Sequence, residues 1–181
     1  KGREIFVTAI NIPTTESRPE EMKKLVSYLK GQFEAAGIKD VVVKDHDGTQ
    51  SMIVRWKAEG KPSKKPILLL GHMDVVEAKR EDWPRDPFKM VEEGGYLYGR
   101  GAIDMKSGIA AIANSLLWLK AEGFKPKRDI IILFTGDEET AGNGARRAAT
   151  EWRDLVDAEY ALNADAGGGA YTKDMKPLGF G

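Results

Sequence analysis

The sequence predicts an α/β domain with a mostly parallel or mixed sheet and helices on both faces. Two wholly apolar runs, Ile-Leu-Leu-Leu at 67–70 and Ile-Ile-Ile-Leu-Phe at 130–134, read as short strands buried on both sides. Residues 107–122 carry the clearest helical period, with Ile109, Ile112, Ala113, Leu116 and Leu119 on one face and Gly123 as the stop. Strand and helix patterns alternate without internal repeats or low-complexity linkers, the order that builds a layered sheet. At 181 residues the chain is long enough for one domain with a sizeable core.

Taken from the start, residues 3–10 form a short helical segment closed by Asn11-Ile12-Pro13. Ser17-Arg18-Pro19-Glu20 has the spacing of a capping box with proline in the first turn. The helix that follows carries Met22, Leu25, Val26, Leu29 and Phe33 along one stripe and stops at Gly37. Residues 38–44 and 52–57 are β-rich runs joined by Asp45-His46-Asp47-Gly48, a turn by composition. His46 is therefore expected in a surface turn, with a structural role. A polar loop at 60–65 leads into the apolar strand at 67–70. A long irregular stretch then runs from 75 to 95, and loops of that length tend to be functional or mobile. Its Trp83 and Phe88 are expected to pack within the loop rather than stack on a substrate. Tyr96-Leu97-Tyr98 is a short strand, and Gly99-Arg100-Gly101 a tight turn before the best helix. A short helix around 143–152 and a strand at 160–162 complete the pattern.

Composition removes whole classes of function. Lys and Arg number 28, as do Asp and Glu, so no basic field exists to gather nucleic acid or anionic lipid. No apolar run has the length of a membrane span, and no secretory signal is recognisable. The absence of cysteine excludes disulfides and thiolate metal sites and leaves the compartment open between cytoplasm and export. A metal site in this chain must use His, Asp and Glu, and the only histidines are His46 and His72. Both ends read as cut: Lys1 opens the chain without methionine, and Gly179-Phe180-Gly181 follows no closing element.

Each apolar run ends in groups that can do chemistry. The run at 67–70 delivers His72 and Asp74, whose side chains share one side of an extended segment. The run at 130–134 delivers Asp137, Glu138 and Glu139; the strand at 160–162 delivers Asp165 and three glycines. Asp104 stands between the Gly-Arg-Gly turn and the long helix. Every member has a bland reading. Asp104 suits a helix N-terminus, Glu138 and Glu139 a solvated loop, Asp165 a turn, and His72 with Asp74 an ordinary strand end. Their joint order at three strand ends is the informative feature, because sites in open α/β sheets lie outside the carboxyl ends of strands.

That order also carries a resemblance. Gly-His-Met-Asp-Val-Val at 71–76, Tyr-Gly-Arg-Gly-Ala-Ile-Asp-Met-Lys-Ser-Gly at 98–108, Gly-Asp-Glu-Glu-Thr at 136–140 and Asn-Ala-Asp-Ala-Gly-Gly at 163–168 resemble one family. It is the co-catalytic zinc peptidase family of aminoacylase, glutamate carboxypeptidase, carnosine dipeptidase and succinyl-diaminopimelate desuccinylase. The resemblance implies two zinc ions. His72, Asp104 and Asp165 would hold one; Asp104 would bridge to the second, which Glu139 also ligates. It further implies that Asp74 orients His72, that Glu138 is the general base, and that the Asp104–Met105 peptide is cis. A bridging carboxylate and a shared water of near-neutral pKa suit such chemistry, and zinc accepts this N/O donor set. The sequence departs in having Glu77 where many members have proline. The family also takes a last histidine ligand, and a lid domain that usually dimerises, from regions beyond Asp165.

On this reading residues 1–181 are the N-terminal portion of a zinc-peptidase catalytic domain, inactive alone, whose complete form hydrolyses a peptide or amide bond. An N-acyl amino acid deacylase uses the same machinery and is the alternative within enzymes. A related aminopeptidase family shares the order of ligands but not the Gly-Arg-Gly-x-x-Asp-Met-Lys wording. A catalytically dead peptidase fold kept as a binding module is the alternative outside enzymes.

Overall fold

The computed structural model describes residues 1–165, 169–174 and 176–180. Its centre is a five-stranded mixed sheet, built from β1 (Asp40–His46), β2 (Thr49–Trp56), β3 (Ile67–His72), β6 (Ile130–Thr135) and β7 (Tyr160–Asn163) in the order β1-β2-β6-β3-β7. Around it run helices α1 (Gly2–Asn11), α2 (Pro19–Ala35), α3 (Lys106–Ala121), α4 (Asn143–Ala149) and α5 (Arg153–Val156). Two hairpins, β4 (Val91–Glu93) with β5 (Tyr96–Tyr98) and β8 (Gly169–Tyr171) with β9 (Pro177–Phe180), stand apart from the sheet. Strands β6, β3 and β7 run parallel, whereas β1 and β2 pair antiparallel with their neighbours. All three parallel strands therefore deliver their carboxyl ends to one edge of the molecule.

The apolar stripes explain the layers. Met22, Leu25, Val26, Leu29 and Phe33 of α2 are all buried, as are Ile109, Ala113 and Leu116 of α3. They close over Met52, Val54, Ile132 and Phe134 on one face of the sheet, with Ile5 and Ala9 of α1 joining the same core. The opposite face packs Ile53, Ile131 and Leu133 against Ala148, Trp152 and Val156 of α4 and α5. Every residue of β6 is buried, as its apolar run requires. The α/β architecture with helices on both faces is thus the one the alternating pattern predicts.

Four local readings need correction. Ser17 does not cap α2: the helix starts at Pro19 after Arg18, no side chain among the described residues caps it, and Glu20 pairs with Lys23 instead. Proline already removes one of the donors a cap would satisfy. His46 is not at the surface; it ends β1 with its side chain buried, bonds Ser51 at 2.7 Å and packs its ring edge on Trp152. Strand β3 is only partly buried, because β7 beside it is exposed along its whole length. The predicted helix at 143–152 is two short helices, separated by a turn that buries Trp152.

Candidate metal centre

The site forms where β3, β6 and β7 end. Gly71 brings β3 against α3: a Cβ there would lie 2.8 Å from Met105 Cε, so only glycine lets Met105 pack behind His72. Met105 Sδ in turn accepts a hydrogen bond from the His72 backbone N–H at 3.0 Å. The imidazole is almost wholly buried. Its Nδ1 stands 3.1 Å from the Asp74 carbonyl oxygen and 3.3 Å from Asp74 Oδ1. Its Nε2 faces Asp104 Oδ1 at 2.9 Å, Asp165 Oδ2 at 3.6 Å and Glu138 Oε2 at 3.8 Å. Asp74 reaches across to the loop after β6, where its Oδ2 accepts the Glu139 backbone N–H at 2.9 Å. One buried carboxylate thereby fixes both the histidine and the backbone of the glutamate pair.

The Asp104 loop is shaped by Gly101, which has φ of 81° and leaves no room for a Cβ beside Val75. The Asp104–Met105 peptide is cis. Lys106 then turns inward, wholly buried, and donates to the carbonyls of Ala9 and Ile12 at 2.8 and 2.6 Å. The loop is consequently tied to the end of α1, while the Asp104 carboxylate stays open to solvent.

Electrostatics follow from crowding acids around one ring. Burial alone would push His72 down; the carboxylate of Asp74, then those of Asp104 and Asp165, outweigh it and raise the ring to about 9. The ring is thus an imidazolium at neutral pH, the positive charge about which the acids gather. Burial raises the Glu139 carboxyl, and the neighbouring Asp104 raises it further. Burial pulls Lys106 down to about 7, partly offset by Asp74.

All six residues singled out from the sequence meet in this cleft. Ligand atoms of His72, Asp104 and Glu139 lie within 4.8 Å of one another, as do those of His72, Glu138 and Asp165. The grouping differs from the one the resemblance implies, where Asp104 is the shared member; here His72 is common to both sets. The donor set of one imidazole and several carboxylates, on a framework fixed by Asp74, fits zinc. Sequence reasoning missed the supports: Met105 and Lys106 stood inside the quoted motif with no role, and Asp137 was counted only as an acid.

Residues 68–176 match the model of Peptidase family M20/M25/M40. Among curated proteins, the chain is 32% identical over 152 residues to N-fatty-acyl-amino acid synthase/hydrolase PM20D1 of Mus musculus, covering 80% of this chain and 30% of that protein. It is 36% identical over 147 residues to a probable succinyl-diaminopimelate desuccinylase of Staphylococcus aureus, covering 80% of this chain and 36% of that one. The chain thus spans about a third of the length of these relatives. Its fold superposes on the M20 family metallo-carboxypeptidase Sso-CP2 of Sulfolobus solfataricus with a TM-score of 0.81 at 21% identity, over 92% of this chain and 38% of that one. Human carnosine dipeptidase 1 gives a TM-score of 0.74 at 21% identity, over 91% and 38% of the two chains.

Proposed function

The chain belongs to Peptidase family M20/M25/M40, and from that premise we propose that it carries most of the hydrolytic centre of a zinc-dependent peptidase. Residues 1–181 are, on this reading, the N-terminal portion of its catalytic domain. The observation that carries the proposal is the convergence of His72, Asp104, Glu138, Glu139 and Asp165 from three strand ends and one loop into a single cleft. Caps and solvated loop acids do not gather around one buried ring.

His72, Asp104 and Asp165 would hold one zinc; Asp104 and Glu139 would contribute to a second. Zinc held there would supply Lewis acidity. Asp74 fixes the His72 ring from its Nδ1 side and so presents Nε2 to the cleft. Glu138, half exposed at the cleft, is placed to take the proton from the attacking water and to return it to the leaving amine. Its neighbour Glu139 is held by its backbone to Asp74, so the pair divides the work: one carboxylate moves the proton and the other holds the metal.

The substrate is a peptide, or an N-acyl amino acid in the deacylase reading; the names of the curated relatives support the latter. The family's dimerising lid would supply the partner surface and much of the substrate contact. Among the described residues no helix is long and apolar enough to cross a membrane. The test is a panel of dipeptides and N-acyl amino acids, run on the protein at its natural length with and without zinc. Zinc-dependent release of free amine supports the reading. Metal-loaded protein that cleaves neither class would favour the non-catalytic binding module.

A further inference from the structure

The glutamate pair sits on the loop between β6 and α4, and that loop is wrapped around one residue. Asp137 is buried at the end of β6. Its Oδ2 accepts the Asn143 N–H at 2.8 Å and its Oδ1 the Gly144 N–H at 2.9 Å, the first two donors of α4. Its backbone carbonyl accepts the Gly142 N–H at 2.7 Å and the Thr140 N–H at 3.3 Å. Residues 138–142 are therefore a closed ring, pinned at both ends by Asp137 and on its outer side by the bond from the Glu139 N–H to Asp74.

The surroundings hold the pin itself. A Cβ at Gly144 would stand 2.9 Å from Asp137 Oδ1 and 2.7 Å from Ser51 Oγ, so glycine is needed for this approach. Behind it His46 Nδ1 lies 3.9 Å from Asp137 Oδ2, while the far side of the same ring is fixed by Ser51. Gly142, the residue just before α4, is left-handed at φ 63° and brings no side chain to cap the helix; Asp137 does so from five residues upstream.

We propose that Asp137 is the positioning residue of the centre, setting the direction in which Glu138 and Glu139 leave the loop. It touches neither metal nor substrate and acts through the two glutamates. This inference rests on the two-metal reading above. A purely structural cap would change the stability of α4 and nothing else. A positioning residue must change the metal position that depends on Glu139 more than the one built from His72, Asp104 and Asp165.

The decisive substitution is Asp137→Asn in the protein at its natural length. Both carboxylate oxygens face N–H donors, so the amide NH₂ is forced against one of them and the ring must shift. Cobalt(II), followed by its visible spectrum, reads the two positions separately from turnover. The expected result is a loss of about 10–100-fold in affinity for one of the two ions, the size usual for groups that orient ligands. The tighter ion should move less than about threefold, and kcat at saturating metal should fall by about 10–100-fold with KM little changed. Gly144→Ala, which keeps the carboxylate but crowds it, should give the same selective loss on a smaller scale and serves if the first variant does not fold. Two cobalt ions bound as tightly as in the unsubstituted protein, with only the melting temperature lowered, would overturn the inference. An unsubstituted protein that binds fewer than two ions fails the two-metal reading itself, and the positioning role falls with it.

Discussion

Glu138 and Glu139 are neighbours of the same chemical type, yet the structure gives them different surroundings. The Glu138 side chain is half exposed and only approaches His72, whereas Glu139 is drawn inward and has its carboxyl raised by burial and by Asp104. Glu138→Gln should therefore leave zinc content unchanged and lower turnover by about 10²–10⁴-fold, since an amide cannot accept the proton. Zinc analysis beside single-turnover cleavage checks it, and near-normal turnover would move the base elsewhere in the cleft. His72 sets a pH dependence at the same scale. With the ring raised to about 9, the metal-free protein carries a proton on the nitrogen that a metal needs. Acid favours that protonated form and alkali removes it, so zinc affinity should weaken by up to about tenfold per pH unit below about 9 and level off above it. Chelator-competition titrations at about pH 6.5, 7.5 and 8.5 measure the slope; a flat profile would mean that His72 is neutral. The residues that meet in the cleft were legible because, Asp104 apart, strand ends deliver them. The burial of His46 was not, since Asp-His-Asp-Gly has the composition of an exposed turn and only the packing of Trp152 shows otherwise.

Lys106 links two elements that the sequence shows only as separate helices. Its ammonium fills the end of α1, bonding the carbonyls of Ala9 and Ile12, while its backbone begins α3 beside Asp104. A lysine nitrogen that donates to the last carbonyls steadies a helix carboxyl end, and here it also ties down the loop that presents Asp104. Lys106→Met preserves length and burial but takes one donor from a buried and one from a half-buried carbonyl, each of which keeps a backbone N–H, and should cost about 1–2 kcal/mol. Denaturant unfolding gives the magnitude, and amide exchange should show α1 opening ahead of the sheet. A change below about 0.5 kcal/mol would mean that α1 is held by Ile5 and Ala9 packing alone. Such a tie is hard to foresee, because lysine is the residue type least expected inside a core. The elements themselves were foreseeable: stripes at helical spacing and unbroken apolar runs place α2, α3 and β6 within two residues of their observed ends. A boundary failed where hydrogen bonds, not hydrophobicity, decide it: between α4 and α5 the chain turns with the Thr150 and Trp152 N–H groups both donating to the Arg147 carbonyl.

Across the molecule, the proposed centre, built from three parallel strand ends and the Asp104 loop, would offer an unequal pair of metal positions. One would have three protein groups, His72, Asp104 and Asp165. The other would have Asp104 and Glu139, two carboxylates without an imidazole. The sequence holds one further histidine, His46, and it cannot serve: its Nε2 is taken by Ser51, its ring packs on Trp152, and its other nitrogen faces Asp137 and Asp47 rather than the cleft. The resemblance assigns the missing imidazole to a region beyond Asp165, together with the lid groups that grip substrate. A polypeptide of these 181 residues alone should therefore bind one zinc tightly and a second only at high concentration. It should cleave no peptide or acyl-amino acid at a useful rate. Loss of the groups that stabilise a developing oxyanion costs about 3–4 kcal/mol for a single donor, and an open second position loses the fixed geometry that a shared water needs. Calorimetric titration of the metal-free polypeptide with zinc, run beside a cleavage assay, decides the matter. Two tight equivalents with robust turnover would show that the second position is completed from within the 181 residues, and the most direct source would be Glu138 serving as a ligand rather than as the base.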